Sequence, residues 1–203
     1  MSGAIDPVRI LSVAVIGWGA AVLVSVLLLP PTFTVLYIVV LGFAWMYSYP
    51  PRLKARFPMN MLAISTPRGA LGIAAAWSVL GSISDPHLWL VLVVTVPFVL
   101  FANESRNIAD READAYAGVR TIATVYGEEA SRDVTALGFV VPAAIVFTAY
   151  PLYLLPDPWL ALTVPLAVVG VYAALKWEGT RVWRLFYAGF GLIAVAFFLP
   201  LVL

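Results

Sequence analysis

Asn103, Asn107, Asp110 and Asp114 stand four, three and four residues apart in the segment 103–127, NESRNIADREADAYAGVRTIATVYG. It is the one stretch where a very apolar chain gathers carboxylates, carboxamides and arginines. On an α-helix that spacing aligns all four side chains in a stripe along one face, a ligand-binding face. Asp110 and Asp114 are one turn apart, so their carboxylates can approach the same ion. Hard oxygen donors without His or Cys suit Mg²⁺ better than zinc. Mg²⁺ keeps several waters and takes one or two carboxylates together with the phosphates of a substrate, so this DxxxD helix suggests a diphosphate held through metal. A charged helix that merely links two membrane spans as a solvated loop has the same look, and two acids at i, i+4 do not decide between the two.

The elements that must position this face are membrane helices. Of 203 residues, 63% are hydrophobic and only 11% charged, well away from the balance of a soluble domain. The absence of cysteine excludes disulfides and thiolate chemistry, and a single histidine, His87, removes most zinc and His-based acid–base designs. Against the roughly 20 residues needed to cross a bilayer, apolar runs predict about seven spans. They lie near 8–29, 32–49, 67–84, 87–103, 133–154, 158–176 and 183–203, as one membrane-embedded domain over 1–203. Pro97, Pro142 and Pro165 interrupt three of them, and prolines at 30–31, 50–51, 86, 156 and 158 punctuate the joints. The first run is too long for a secretory signal and lacks a convincing cleavage site. Trp45, Trp89, Trp159, Trp177 and Trp183 fall near span ends, as interfacial aromatics do.

Charge is sorted by side. All twelve Lys and Arg residues fall in the segment before the first span, in the loops at 50–66, 104–132 and 177–182, or at their membrane edge. The opposite loops carry only Asp85 and Asp157. The positive-inside rule makes the first set cytoplasmic, which places the acid-bearing helix and the basic loop Arg52-Leu53-Lys54-Ala55-Arg56 in one compartment. A metal-bound diphosphate could then sit between them, its outer oxygens neutralised by cations, although such a loop also arises from orientation alone. No ionisable residue lies mid-span, which argues against an intramembrane proton or ion path. Tyr47, Tyr49, Tyr116 and Tyr126 flank the polar cluster and could offer π faces to a developing cation, or simply lie at the interface. Asn60 and Arg68 border the second cytoplasmic loop, where they could touch phosphate or anchor the third span.

Two segments resemble the intramembrane prenyltransferases of the UbiA type, the family of 4-hydroxybenzoate polyprenyltransferase and its relatives acting on quinone, chlorophyll and lipid acceptors. Asp110-Arg111-Glu112-Ala113-Asp114, followed by Gly118-Val119-Arg120-Thr121 and closing at Gly127, is similar to that family's second aspartate motif, DxxxDxxxG(I/V)(K/R)(S/T) running on to a glycine. Tyr47-Ser48-Tyr49-Pro50-Pro51-Arg52-Leu53-Lys54 is similar to its YSxPPLRLK loop. The two stand in the family's order, and the pattern of helices extends the resemblance over essentially the whole chain. The family has nine transmembrane helices and a first aspartate motif, NDxxDxxxD, which this sequence lacks. Ser2-Gly3-Ala4-Ile5-Asp6-Pro7 resembles the SGxIS segment that comes after that motif. The chain is therefore expected to correspond to the last seven of nine helices, as an N-terminally truncated protein, a mis-called start or a natural half-protein.

The resemblance implies an all-α polytopic transmembrane helix bundle that transfers a prenyl group from an isoprenyl diphosphate to an aromatic, quinone-precursor or lipid acceptor within the membrane, a step of isoprenoid biosynthesis with no nucleic-acid partner. It implies that Asp110 and Asp114 bind Mg²⁺ and carry catalysis. Asn107 stands where some relatives have a further acid and offers a neutral ligand. Asn103, Arg52, Lys54, Arg111 and Arg120 would line or neutralise the diphosphate, and apolar helices would house the isoprenoid tail. Two other classes stay open. One is a half-length relative that binds isoprenoid diphosphate or a partner chain without turnover. The other is a seven-helix transporter or receptor.

Overall fold

A computed structural model describes residues 7–152 and 157–202, and every regular element in it is helical. The apolar runs become α1 (Pro7–Leu28) and α2 (Pro31–Ser48), then a rod made of α3 (Met59–Ser65), a π-helical stretch (Thr66–Leu71) and α4 (Gly72–Leu80). They continue as α5 (Pro86–Ala102), α6 (Glu104–Tyr116), the single turn α7 (Ile122–Val125), α8 (Glu128–Ala149), α9 (Asp157–Lys176) and α10 (Gly179–Val202). Each of the seven expected runs coincides with one helical rod. By length and apolarity four stretches among the described residues qualify as membrane spans: Val8–Leu28, Pro31–Ser48, Pro86–Tyr116 and Glu128–Ala149. The segment Ser2–Asp6 lies outside the described residues.

The third run differs most from expectation. The helix begins at Met59, eight residues before the anticipated start, because Pro67 does not break it. A proline inside an α-helix forfeits one hydrogen bond and presses on the carbonyl of the preceding turn; here the backbone widens into the π stretch around it. Thr95 on α5 braces the stretch from outside: its Oγ1 donates to the Gly69 carbonyl at 2.8 Å, a position fully inside the bundle. The wider turn resets the register of α4, and π stretches of this kind are frequent at functional sites.

The core lies among α5, α8, α9 and α10. Phe98, Phe139 and Phe186 meet there, with Phe98–Phe139 centroids 5.5 Å apart and edge-to-face at 82°, and Phe98–Phe186 at 5.1 Å. Small residues let the backbones approach, as membrane bundles require where apolar burial gives no drive between helices. A methyl group at Gly138 on α8 would overlap the Ala102 backbone of α5, and one at Gly170 on α9 would overlap the Phe139 ring. By contrast α1 packs on α2 and turns Val13, Ile16, Leu27 and Leu28 outward. Apolar side chains displayed so fully are at home in lipid and not in water.

Candidate active site

The polar face is a direct extension of a membrane helix. After Ala102 the chain makes one irregular residue, Asn103, and resumes as α6, whose sequence is as polar as α5 is apolar. The apolar segment therefore ends at Ala102 and α6 projects beyond it. Glu104 and Ser105 anchor the joint inside the protein. The Glu104 carboxylate is 1% exposed and accepts from Ser131 Oγ on α8 at 2.8 Å and from Asn107 Nδ2 at 2.7 Å. Glu104 takes up the Asn107 amide nitrogen, and among the described residues no donor reaches the Asn107 carbonyl oxygen.

Asp110, Asp114, Asn103 and Asn107 line one polar cavity of about 480 Å³, together with Arg52 and Lys54 from the loop after α2. The loop is bent to bring those cations in. Arg52 holds the left-handed conformation at φ 56°, ψ 60°, which costs an ordinary residue about 1 kcal/mol, and its N–H donates to the Tyr49 carbonyl. Lys54 comes next in a short 3₁₀ turn, Leu53–Ala55. The two loops are tied by backbone, Arg120 N–H to the Ala55 carbonyl at 3.4 Å. Gly118, at φ 65°, makes the turn after α6.

The side chains of Arg111 and Arg120 do not line this cavity; both are exposed. Other cations take their place. Arg106 Nε donates to Asp110 Oδ2 at 2.7 Å, one turn back along the same face, and its guanidinium lies 5.2 Å over the Trp183 ring. Arg68, from the π stretch, donates to the Tyr187 hydroxyl and stands 5.9 Å over that ring. Trp183 and Tyr187, successive turns of α10, pack edge-to-face at 4.8 Å and complete the wall. The sequence signal for them is the basic–aromatic run Thr180 to Tyr187, TRVWRLFY, at the head of the last helix.

Electrostatics single out the aspartate pair. Partial burial, and then the neighbouring charge of Asp110, hold the Asp114 carboxyl above its ordinary value, while Lys54 and Arg106 pull it the other way. Two like charges so arranged favour an added cation. Among the described residues no third carboxylate, histidine or cysteine joins them to close a protein-only cage. Two carboxylates with a neutral carboxamide nearby match the open donor set of Mg²⁺, which leaves positions for water and phosphate.

A second cavity, about 240 Å³, lies between α4, α5 and α10 and is lined by apolar side chains such as Ile73, Val91, Phe190 and Ile193. Arg68 lines both cavities. An ionic chamber beside the end of the apolar helices thus adjoins a greasy one among them, with one arginine at the boundary.

No curated protein and no solved structure matches this chain. The family model described as the UbiA prenyltransferase family does match, over residues 1–192. That coverage takes in both loops, the polar helix and nearly all of the helical bundle, and the chain belongs to the UbiA prenyltransferase family of integral membrane proteins.

Proposed function

We propose that this chain moves a prenyl group from an isoprenyl diphosphate to an aromatic, quinone-precursor or lipid acceptor, with Mg²⁺ held by Asp110 and Asp114. The observation that carries the reading is the shared position of Arg68, which gives a polar chamber for the diphosphate and an apolar one for the tail a common wall. A substrate with an ionic head and a hydrocarbon body fits that pair of chambers, and few soluble metabolites do.

In this reading Asp110, Asp114 and the Asn107 carbonyl would hold the metal. Bound Mg²⁺ would supply the Lewis-acid stabilisation of charge that develops on the leaving diphosphate. Arg52, Lys54 and Arg68 neutralise the remaining oxygens; fixed cations in a site partly shut off from water contribute more than they would in bulk solvent. Arg106, which pairs with Asp110 on the same cavity wall, adds a further cation to it. The Tyr187 and Trp183 rings lie beside the boundary, where allylic positive charge would appear, and a π face attracts such a cation. Arg111 and Arg120 stay at the rim, where they raise the local concentration of anionic substrate through the long-range field. The basic loops and the polar helix face the cytoplasm.

The experiment is a transfer assay on the detergent-solubilised chain with geranyl diphosphate and 4-hydroxybenzoate. Product formation that requires Mg²⁺ and stops on chelation supports the proposal. Saturable binding of geranyl diphosphate with no product from any acceptor tried would favour a binding protein without turnover.

A further inference from the structure

Two arginines of the loops around the polar cavity take no part in it. Arg56 and Arg120 are exposed, neither lines the cavity, and neither pairs with a carboxylate among the described residues. The fold nevertheless brings them to one joint. Arg120 N–H donates to the carbonyl of Ala55, the residue before Arg56, and the Phe57 and Tyr126 rings of the same two loops meet edge-to-face at 5.8 Å and 71°. Two cations rooted side by side repel each other, and an anion that takes both removes that cost. Of the acids that open α8 just after Tyr126, Glu128 is engaged by Arg132 and Glu129 lines a separate cavity with Leu175.

The neighbours of this joint place it at the edge of the bilayer. The chain runs from Arg56 straight into α3, the Arg56 carbonyl accepting the Asn60 N–H at 3.0 Å. Met59 and Leu62 are exposed, and three residues apart on that helix they share a face. At the end of α2, which packs on α3, the exposed rings of Trp45 and Tyr49 stack 4.4 Å apart, and Tyr126 is exposed as well. Such amphipathic rings collect where hydrocarbon gives way to headgroups. The two arginines therefore stand at headgroup depth, with an apolar stripe leading away from them along α3.

We propose that Arg56 and Arg120 form a docking surface for an anionic phospholipid, the guanidinium groups taking the headgroup phosphate while Met59, Leu62 and the Tyr126 ring lie along its acyl chains. A guanidinium offers paired N–H donors in the geometry that phosphate oxygens accept. The headgroup must be net negative, because a zwitterionic lipid brings an ammonium group of its own that the second arginine repels. A soluble acidic partner would satisfy the arginines and leave the apolar stripe beside them without a use. The surface is separate from the polar cavity, so the proposal does not depend on what that cavity binds.

The test uses the full chain in nonionic detergent, titrated with dioctanoyl phosphatidylglycerol and with dioctanoyl phosphatidylcholine, occupancy being read by native mass spectrometry. An arginine beside an anionic headgroup is worth about fivefold, so the unaltered protein should favour phosphatidylglycerol by about thirtyfold. Arg56→Gln or Arg120→Gln alone should lower that preference about fivefold, and the two together should abolish it. Arg56→Lys, which keeps the charge and loses the fork, should lower it by no more than about threefold. Arg9→Gln removes an exposed arginine at the start of α1 and should change it less than about twofold. Neither inorganic phosphate nor Mg²⁺ with pyrophosphate should displace the bound lipid. Thermal melts confirm that each variant is folded. The proposal is overturned if the unaltered protein shows no preference, or if Arg9→Gln lowers it as much as Arg56→Gln, which would leave only the general attraction of a basic face. Displacement by pyrophosphate would put the lipid in the polar cavity, and displacement by inorganic phosphate would make this a free-anion site; either result overturns it as well.

Discussion

Replacing Arg68 by alanine removes the cation that borders both cavities, and the cost can be worked from its surroundings. A hydrogen bond to a charged group contributes about 1.5–3 kcal/mol. The Arg68 side chain is exposed, so solvent screening brings the expectation to about 1–1.5 kcal/mol, or roughly a five- to tenfold weaker complex. Arg68→Lys keeps the charge and loses the planar fork, which predicts a loss of about threefold. Tyr187→Phe removes the hydroxyl that receives the Arg68 N–H and leaves the ring, so it should cost less than either. The assay is titration of inorganic pyrophosphate and of geranyl diphosphate into solubilised protein with saturating Mg²⁺. Both ligands should weaken together in Arg68→Ala, because the arginine acts on the shared head group. Unchanged affinity for both would refute the placement of the head group beside Arg68. Weakening of geranyl diphosphate alone would assign Arg68 to the tail.

The same geometry sets other outcomes. Gly170→Ala places a methyl group into the Phe139 ring, an overpacking expected to destabilise by about 1–3 kcal/mol and to lower the melting temperature, whereas Gly191→Ala, with open space around its Cα, should not. Glu104→Ala frees the Asn107 amide and leaves the Ser131 hydroxyl without its acceptor. Mg²⁺-dependent pyrophosphate binding should fall about threefold to tenfold and be restored in part by Glu104→Gln, which keeps one acceptor oxygen. The Asp114 carboxyl, held high by burial and by Asp110, must lose its proton to take a metal. As pH falls, Mg²⁺ affinity should therefore decline at a higher pH than for an ordinary exposed aspartate; isothermal titration at stepped pH reads this directly.

Much of the scaffold is readable from residue order because membrane helices declare themselves by length and apolarity. The polar stripe 103/107/110/114 is readable because a helix repeats its face every three or four residues. The same periodicity separates the arginines: Arg106 stands four residues before Asp110 and falls on the same face, while Arg111, one residue after Asp110, points about 100° away. The start of the third rod is hidden because Pro67 reads as a break in one dimension, whereas the helix runs through it by widening into the π stretch. The pairing of Arg68 with Tyr187 is hidden for a similar reason. They are 119 residues apart in the chain, and no local pattern marks a contact made by two helices folding together.

The most direct trial of the account is Mg²⁺-dependent binding of geranyl diphosphate to the solubilised chain, compared with Asp110→Ala and Asp114→Ala. Removing a carboxylate that holds the metal should weaken binding beyond about 100-fold in each variant and leave whatever affinity persists indifferent to Mg²⁺. Retention of Mg²⁺-dependent binding in both variants, with the fold intact by thermal melting, would contradict the assignment of this aspartate pair.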